Sequence, residues 1–148
     1  MATLVQGWLI FMKTKKIYFE YTSVFLIGGM IYMLLELVWR GHTHWTMGIC
    51  GGICFAELYL IEKYMFDYPP IVKCTFGSFL ITANEFITGC IVNVMLNWNV
   101  WDYSNRPLNL AGQICLPFSF LWFLLCIPAF FIARKIRTAF YNYYKIAR

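Results

Sequence analysis

Four apolar runs, each about long enough to cross a bilayer, take up most of this chain: Tyr18–Trp39, His44–Tyr64, Ile71–Trp98 and Leu108–Ala133. A hydrocarbon core of about 30 Å needs roughly 20 helical residues, and every backbone N–H and C=O inside it must bond within the protein. The runs are apolar nearly all round and lack the alternation of barrel strands, so helices are the form they dictate. The predicted fold is therefore all-α: a polytopic membrane protein whose four transmembrane helices fill residues 17–133. Residues 1–16 suit an interfacial segment, and residues 134–148 read as a basic, aromatic cytoplasmic tail. The third run exceeds the hydrocarbon thickness and is expected to tilt or project into the interface.

Charge supports this reading. Only 13% of residues are charged, against about 25% in soluble domains. The net charge of +5 lies beside the apolar runs, which points to topology and anionic headgroups and away from nucleic acid. Ten of the twelve basic residues flank one side of the spans, whereas Arg40 and Arg106 fall on the other. The positive-inside bias then places both termini in the cytoplasm of a cell-membrane protein, with the loops Gly41–Thr43 and Asn99–Pro107 outside. Trp39, Trp45, Trp98 and Trp101 all fall at the outer boundary, as an aromatic belt requires.

The six cysteines sit in or beside apolar runs and read as buried thiols. The basic group Lys13, Lys15 and Lys16 follows the first apolar stretch, which argues against a cleavable signal peptide.

An acid within a span is a functional candidate by default. Glu85 lies near the middle of the third run and Glu57 at similar depth in the second. Ser78, Thr82, Glu85, Gly89, Asn93 and Asn97 recur at three or four residues, forming one helical stripe. The stripe reads as a polar path with Glu85 as proton or cation ligand, Glu57 as its modulator, and Thr82, Asn93 and Asn97 lining the route. The competing reading is interhelical glue, in which these side chains bond neighbouring helices. Gly48, Gly51 and Gly52 offer a smooth face for close packing.

At the outer end, Glu36 and Arg40 are four apart and form a helix-surface pair. His42 and His44 have the H-x-H spacing of two metal ligands, but no further ligand set accompanies them, and no metal or cofactor is expected. Asp102 and Ser104 can cap backbone donors, Pro107 suits a first helical turn, and Asn105, Asn109 and Gln113 repeat at four. This pattern predicts a turn feeding the fourth helix. Together with Glu36 and Arg40, Asp102, Asn109 and Gln113 form a candidate outer gate or lid.

Three blocks carry a family resemblance: Glu36-Leu37 with Gly41, Glu85-Phe86-Ile87-Thr88-Gly89, and Trp101-Asp102-Tyr103-Ser104 followed by Pro107-Leu108-Asn109-Leu110-Ala111-Gly112-Gln113-Ile114. In these, the chain resembles the bacterial ABC-transporter type IV family of permease-like small membrane proteins. The resemblance covers most of Ile31–Trp122 and implies a shared four-helix membrane fold. The chain has no G-x-x-x-x-G-K-[ST] phosphate loop, so ATP hydrolysis in such a system falls to a separate ATPase subunit. The functional expectation is a non-enzymatic transporter or channel component, acting as a homo-oligomer, that moves a proton, cation or small polar solute. The alternative is a scaffold or regulatory subunit of a larger membrane complex.

Overall fold

A computed structural model describes residues 2–146 of the protein, with side chains from residue 14 onward. It contains four helices: α1 (Ala2–Arg40), α2 (Trp45–Tyr64), α3 (Pro70–Gly89) and α4 (Leu116–Ile146). The segment Thr14–Arg40, the segment Pro70–Met95 and α4 are long and apolar enough to cross a membrane. The protein is thus a mostly helical membrane protein. The shorter helix α2 carries Glu57, Glu62 and Lys63 and is packed by α1, α3 and α4, contributing side chains to all three apolar clusters of the core.

Local chemistry sets the helix ends. Gly41 adopts a left-handed φ of 75° and returns its N–H to the Leu37 carbonyl at 3.0 Å, closing α1. The His44 side chain accepts from Thr46 N at the start of α2. Pro70 opens α3 as its first residue, where a missing N–H costs nothing. Pro128 lies inside α4, where it removes one rung of the helical ladder.

Backbones approach most closely between α1 and α2. A Cβ at Gly29 would lie 2.5 Å from the Gly48 carbonyl oxygen, and one at Gly51 would collide with Tyr32 Cβ. The expected glycine face of α2 is used, and Gly28 and Gly29 supply its counterpart on α1.

Three boundaries differ from expectation. Helix α1 is continuous from Ala2, so residues 2–16 share one helix with the first span; Met1 and the side chains of 2–13 lie outside the described residues. Helix α4 likewise runs through the proposed tail to Ile146, and Tyr144 donates its hydroxyl to the Lys16 carbonyl at 2.6 Å. The third correction concerns residues 108–115. They form a small antiparallel hairpin, Asn109–Leu110 paired with Ile114–Cys115, and the fourth helix begins only at Leu116. Leu108, Ala111 and Gly112 have φ values of 52°, 53° and 67°, a left-handed geometry that no right-handed helix tolerates.

Helix α3 passes into a π-helical turn, Cys90–Met95, and stops there, short of Trp98. Asn97, with φ of 55°, lies beyond the helix and leaves the predicted stripe. Trp101 also departs from the lipid-facing belt. It is buried with Met47 and Val92, and its indole donates to the Gln113 carbonyl at 2.9 Å. In contrast, Trp45 and Trp98 are exposed, with ring centres 5.9 Å apart.

Candidate functional site

Glu85 is 2% exposed and is held from two directions. Trp122 of α4 donates its indole N–H to Oε2 at 2.7 Å, and the Tyr103 hydroxyl approaches Oε1 at 3.5 Å. Tyr103 belongs to the segment joining the π-helical turn to the Asn109–Cys115 hairpin, which folds back into the loop end of the bundle as a plug. Its ring stacks on Phe118 at 4.7 Å, fixing the direction of the hydroxyl.

The plug is tied to the π-helical turn through Asn93. The Asn93 amide donates to Gln113 Oε1 at 2.8 Å and accepts from Val100 N at 2.7 Å. A π-helical turn shifts the side-chain register, and here it delivers Asn93 to the loop. Gly89 gives the plug its depth, because a Cβ there would meet Gln113 Oε1 at 2.5 Å.

The plug, α1 and α4 enclose a cavity of about 550 Å³, lined in part by Glu36, Arg40, Asp102, Tyr103, Arg106 and Trp122. The predicted Glu36–Arg40 pair is present at 2.7 Å, Thr43 donates to the other Glu36 oxygen, and Arg40 Nη1 donates to the Val100 carbonyl at 2.9 Å. The pair therefore fastens α1 to the plug. Asp102 lies at the cavity mouth and accepts from Ser104 N and Ser104 Oγ, which holds its carboxyl below the ordinary aspartate range.

Below this cavity lies an apolar groove of about 220 Å³ between α1, α2, α3 and α4. Tyr32, Leu35, Trp122 and Leu125 wall both compartments. Tyr32 and Trp122 stack at 5.7 Å, so the indole that holds Glu85 also stands where the cavity and the groove adjoin.

The remaining predicted residues lie elsewhere. Glu57 accepts from Asn84 at 2.6 Å, and since Asn84 and Glu85 are adjacent on α3 they point about 100° apart. The two acids are thus on different faces and share no bond. Thr82 donates to Ser119 of α4 at 3.1 Å. Asn109 staples the plug to itself by donating to the Ser104 and Arg106 carbonyls. Gln113 is buried under the plug, away from the cavity lining. Glu85, Thr82, Asn93, Glu57 and Asn97 are not among the residues lining either compartment, and the two compartments adjoin along α1 and α4. The Nδ1 atoms of His42 and His44 make local contacts, to the Arg40 carbonyl and to Thr46.

Sequence reasoning missed a charged cluster at the end of the bundle bearing the termini. Glu62 is fully buried and binds Lys73 Nζ through Oε2 and Arg134 Nε through Oε1, each at 2.7 Å. Arg137 donates to the Glu62 carbonyl at 3.0 Å. Glu62 thereby joins α2, α3 and α4. Lys73, counted among the basic residues that mark orientation, is itself only 2% exposed. The available signal was an acid near the end of a predicted span, Glu62, with several basic residues near the ends of the other spans.

The model of the family described as Putative ABC-transporter type IV matches residues 6–147. The chain belongs to that family. No curated protein and no solved structure matches it. Within this ABC-transporter type IV member, the match takes in the whole of the cavity, the Glu85 cluster and the Glu62 cluster. The family description fits a membrane protein of transport systems.

Proposed function

We propose that this protein is the membrane component of a transporter in which a solute enters the cavity at the loop end and Glu85 is the protonatable group that controls passage beyond it. The observation that carries this reading is the double role of Trp122 and Tyr103: both line the cavity, and both donate to Glu85. An ionised Glu85 accepts both bonds. Protonation, or a cation taking their place, weakens its hold on the two side chains and frees Trp122 to leave its stack on Tyr32. Among the three cargo classes considered, proton, cation and small polar solute, the buried acid suits the proton and the cavity suits the solute.

The same reading takes α2 as a fourth crossing helix, with both termini on the cytoplasmic face of the cell membrane. It also takes a homo-oligomer to complete the lateral walls and a separate ATPase to supply energy. The chain itself performs no enzymatic step in this scheme.

The test uses proteoliposomes loaded with a pH-sensitive dye and given an imposed proton gradient. Glu85→Gln is expected to assemble normally and to lose dye-reported proton uptake. Unchanged uptake in that variant contradicts the role assigned to Glu85.

A scaffold or regulatory subunit is the second reading. The bonds from Thr82 to Ser119 and from Asn93 to Gln113 support it, because they use polar side chains to fasten α3 to α4 and the π-helical turn to the plug. It predicts that Glu85→Gln and Glu57→Gln alter assembly more than flux.

A further inference from the structure

The seam between α1 and α4 joins a polar chamber to an apolar one. Aromatic pairs bridge it at three heights: Trp39 with Phe118 near the loops, Tyr32 with Trp122 midway, and Phe19 with Phe140 near the termini. The 550 Å³ cavity lies on the loop side of the middle pair, and the 220 Å³ groove adjoins it there. The groove is walled by residues such as Ile31, Phe55, Leu58 and Ile132, so no charged group meets a guest inside it.

The polar chamber has one unmet donor group. Arg40 is spent inside the protein, since its two terminal nitrogens are engaged and its Nε is closed off from any guest. The exposed Arg106 guanidinium lines the chamber and has no side-chain partner among the described residues. The acids on the same wall are engaged within the protein, Glu36 through both oxygens and Asp102 through one. Glu36 takes bonds from Arg40 and Thr43, and Asp102 turns Oδ1 onto Ser104. The Arg106 guanidinium is left to meet an acceptor from outside the chain, and guanidinium groups favour phosphate or carboxylate oxygens.

We infer that the α1–α4 seam binds an amphiphile with an anionic headgroup, the head beside Arg106 and the chain in the apolar groove past the Tyr32–Trp122 stack. This deepens the transport reading by naming its ligand class, and it rests on that reading only for what happens after binding. A membrane phospholipid is the occupant this geometry selects, since the groove lies between two helices apolar enough to cross a bilayer.

The test is photocrosslinking of the full chain in phosphatidylcholine nanodiscs, with a trace of either diazirine-bearing phosphatidic acid or diazirine-bearing phosphatidylcholine. Phosphatidic acid is expected to label peptides of α1 and α4 around the seam roughly tenfold more than phosphatidylcholine, as one charge-assisted bond allows. Arg106→Gln should remove most of that preference. Leu35→Trp, which fills the junction of the two chambers from an exposed position, should reduce labelling by both probes. Equal labelling by the two probes, unaffected by Arg106→Gln, would mean ordinary surrounding lipid and overturn the inference. Competition by free glycerol 3-phosphate as effective as by phosphatidic acid would also overturn it, leaving an anion site with no use for the chain. The assay reads binding alone, so it can fail while proton uptake still depends on Glu85, and the reverse.

Discussion

The indole of Trp122 donates to Glu85 Oε2 at 2.7 Å while its ring stacks on Tyr32 of α1 at 5.7 Å. One side chain therefore connects the buried acid of α3 to the wall shared by two cavities. Trp122→Phe keeps a ring for the stack and removes the donor. Its loss of stability should be about 1–3 kcal/mol with Glu85 present and much smaller in a Glu85→Leu background, because the cost lies in an unsatisfied buried carboxylate. A double-mutant cycle followed by SDS-driven unfolding in mixed micelles measures this coupling, and additive effects contradict it.

Glu62 and Lys73 form the most enclosed ion pair, with side chains 0% and 3% exposed. Removing one partner from such a pair leaves an uncompensated charge. Lys73→Met should destabilise the protein by about 3 kcal/mol, the low end for such a loss, because Arg134 still contacts Glu62. Replacing both Glu62 and Lys73 with Met should cost less than Lys73→Met alone. The same unfolding titration decides between the two outcomes.

Contact between α1 and α2 depends on an absent side chain at Gly29. Gly29→Ala places a methyl group 2.5 Å from the Gly48 carbonyl oxygen, a backbone atom that cannot rotate away. A cost of about 1–3 kcal/mol is expected. Met30→Ala, on an exposed position one residue along, should stay within about 0.5 kcal/mol.

The plug should respond to acid through Asp102. Its carboxyl is held low by the two Ser104 bonds, so their contribution is complete above the ordinary aspartate value of about 3.9 and is lost as pH falls through the lower folded value. Amide exchange at Ser104 should accelerate only below that range, once intrinsic exchange is corrected for. In Asp102→Asn the acid step should vanish.

Much of the helical framework is legible in the sequence because lipid permits so few backbone solutions. The first three apolar runs become helices close to their expected positions, and the glycines of α2 pack as their spacing suggests. The fourth boundary misleads because Asn105, Asn109 and Gln113 imitate a helical period. Asn109 is instead a turn residue whose amide bonds nearby carbonyls, and Gly112 permits a left-handed corner that brings its own carbonyl to Tyr103 N. The polar stripe of α3 continues into the π-helical turn as far as Asn93, but Thr82, Glu85 and Asn93 bond to residues of the plug and α4 up to 37 positions away. Helical spacing places side chains on a face without saying what that face meets. Glu62 was hidden for the same reason, since Lys73 and Arg134 reach it only after three helices have packed.

The central claim is that the charge on Glu85 sets the position of Trp122 and Tyr103 on the cavity wall and so controls passage beyond the cavity. The most direct measurement is the rate at which a membrane-impermeant maleimide labels Leu121→Cys, a position on the cavity wall, across a pH series. Rates are corrected for the intrinsic thiol chemistry with an exposed reference cysteine and for labelling of the native cysteines. The account predicts a corrected rate that changes with pH when Glu85 is present and is flat in Glu85→Gln. The same pH dependence in both proteins would contradict it.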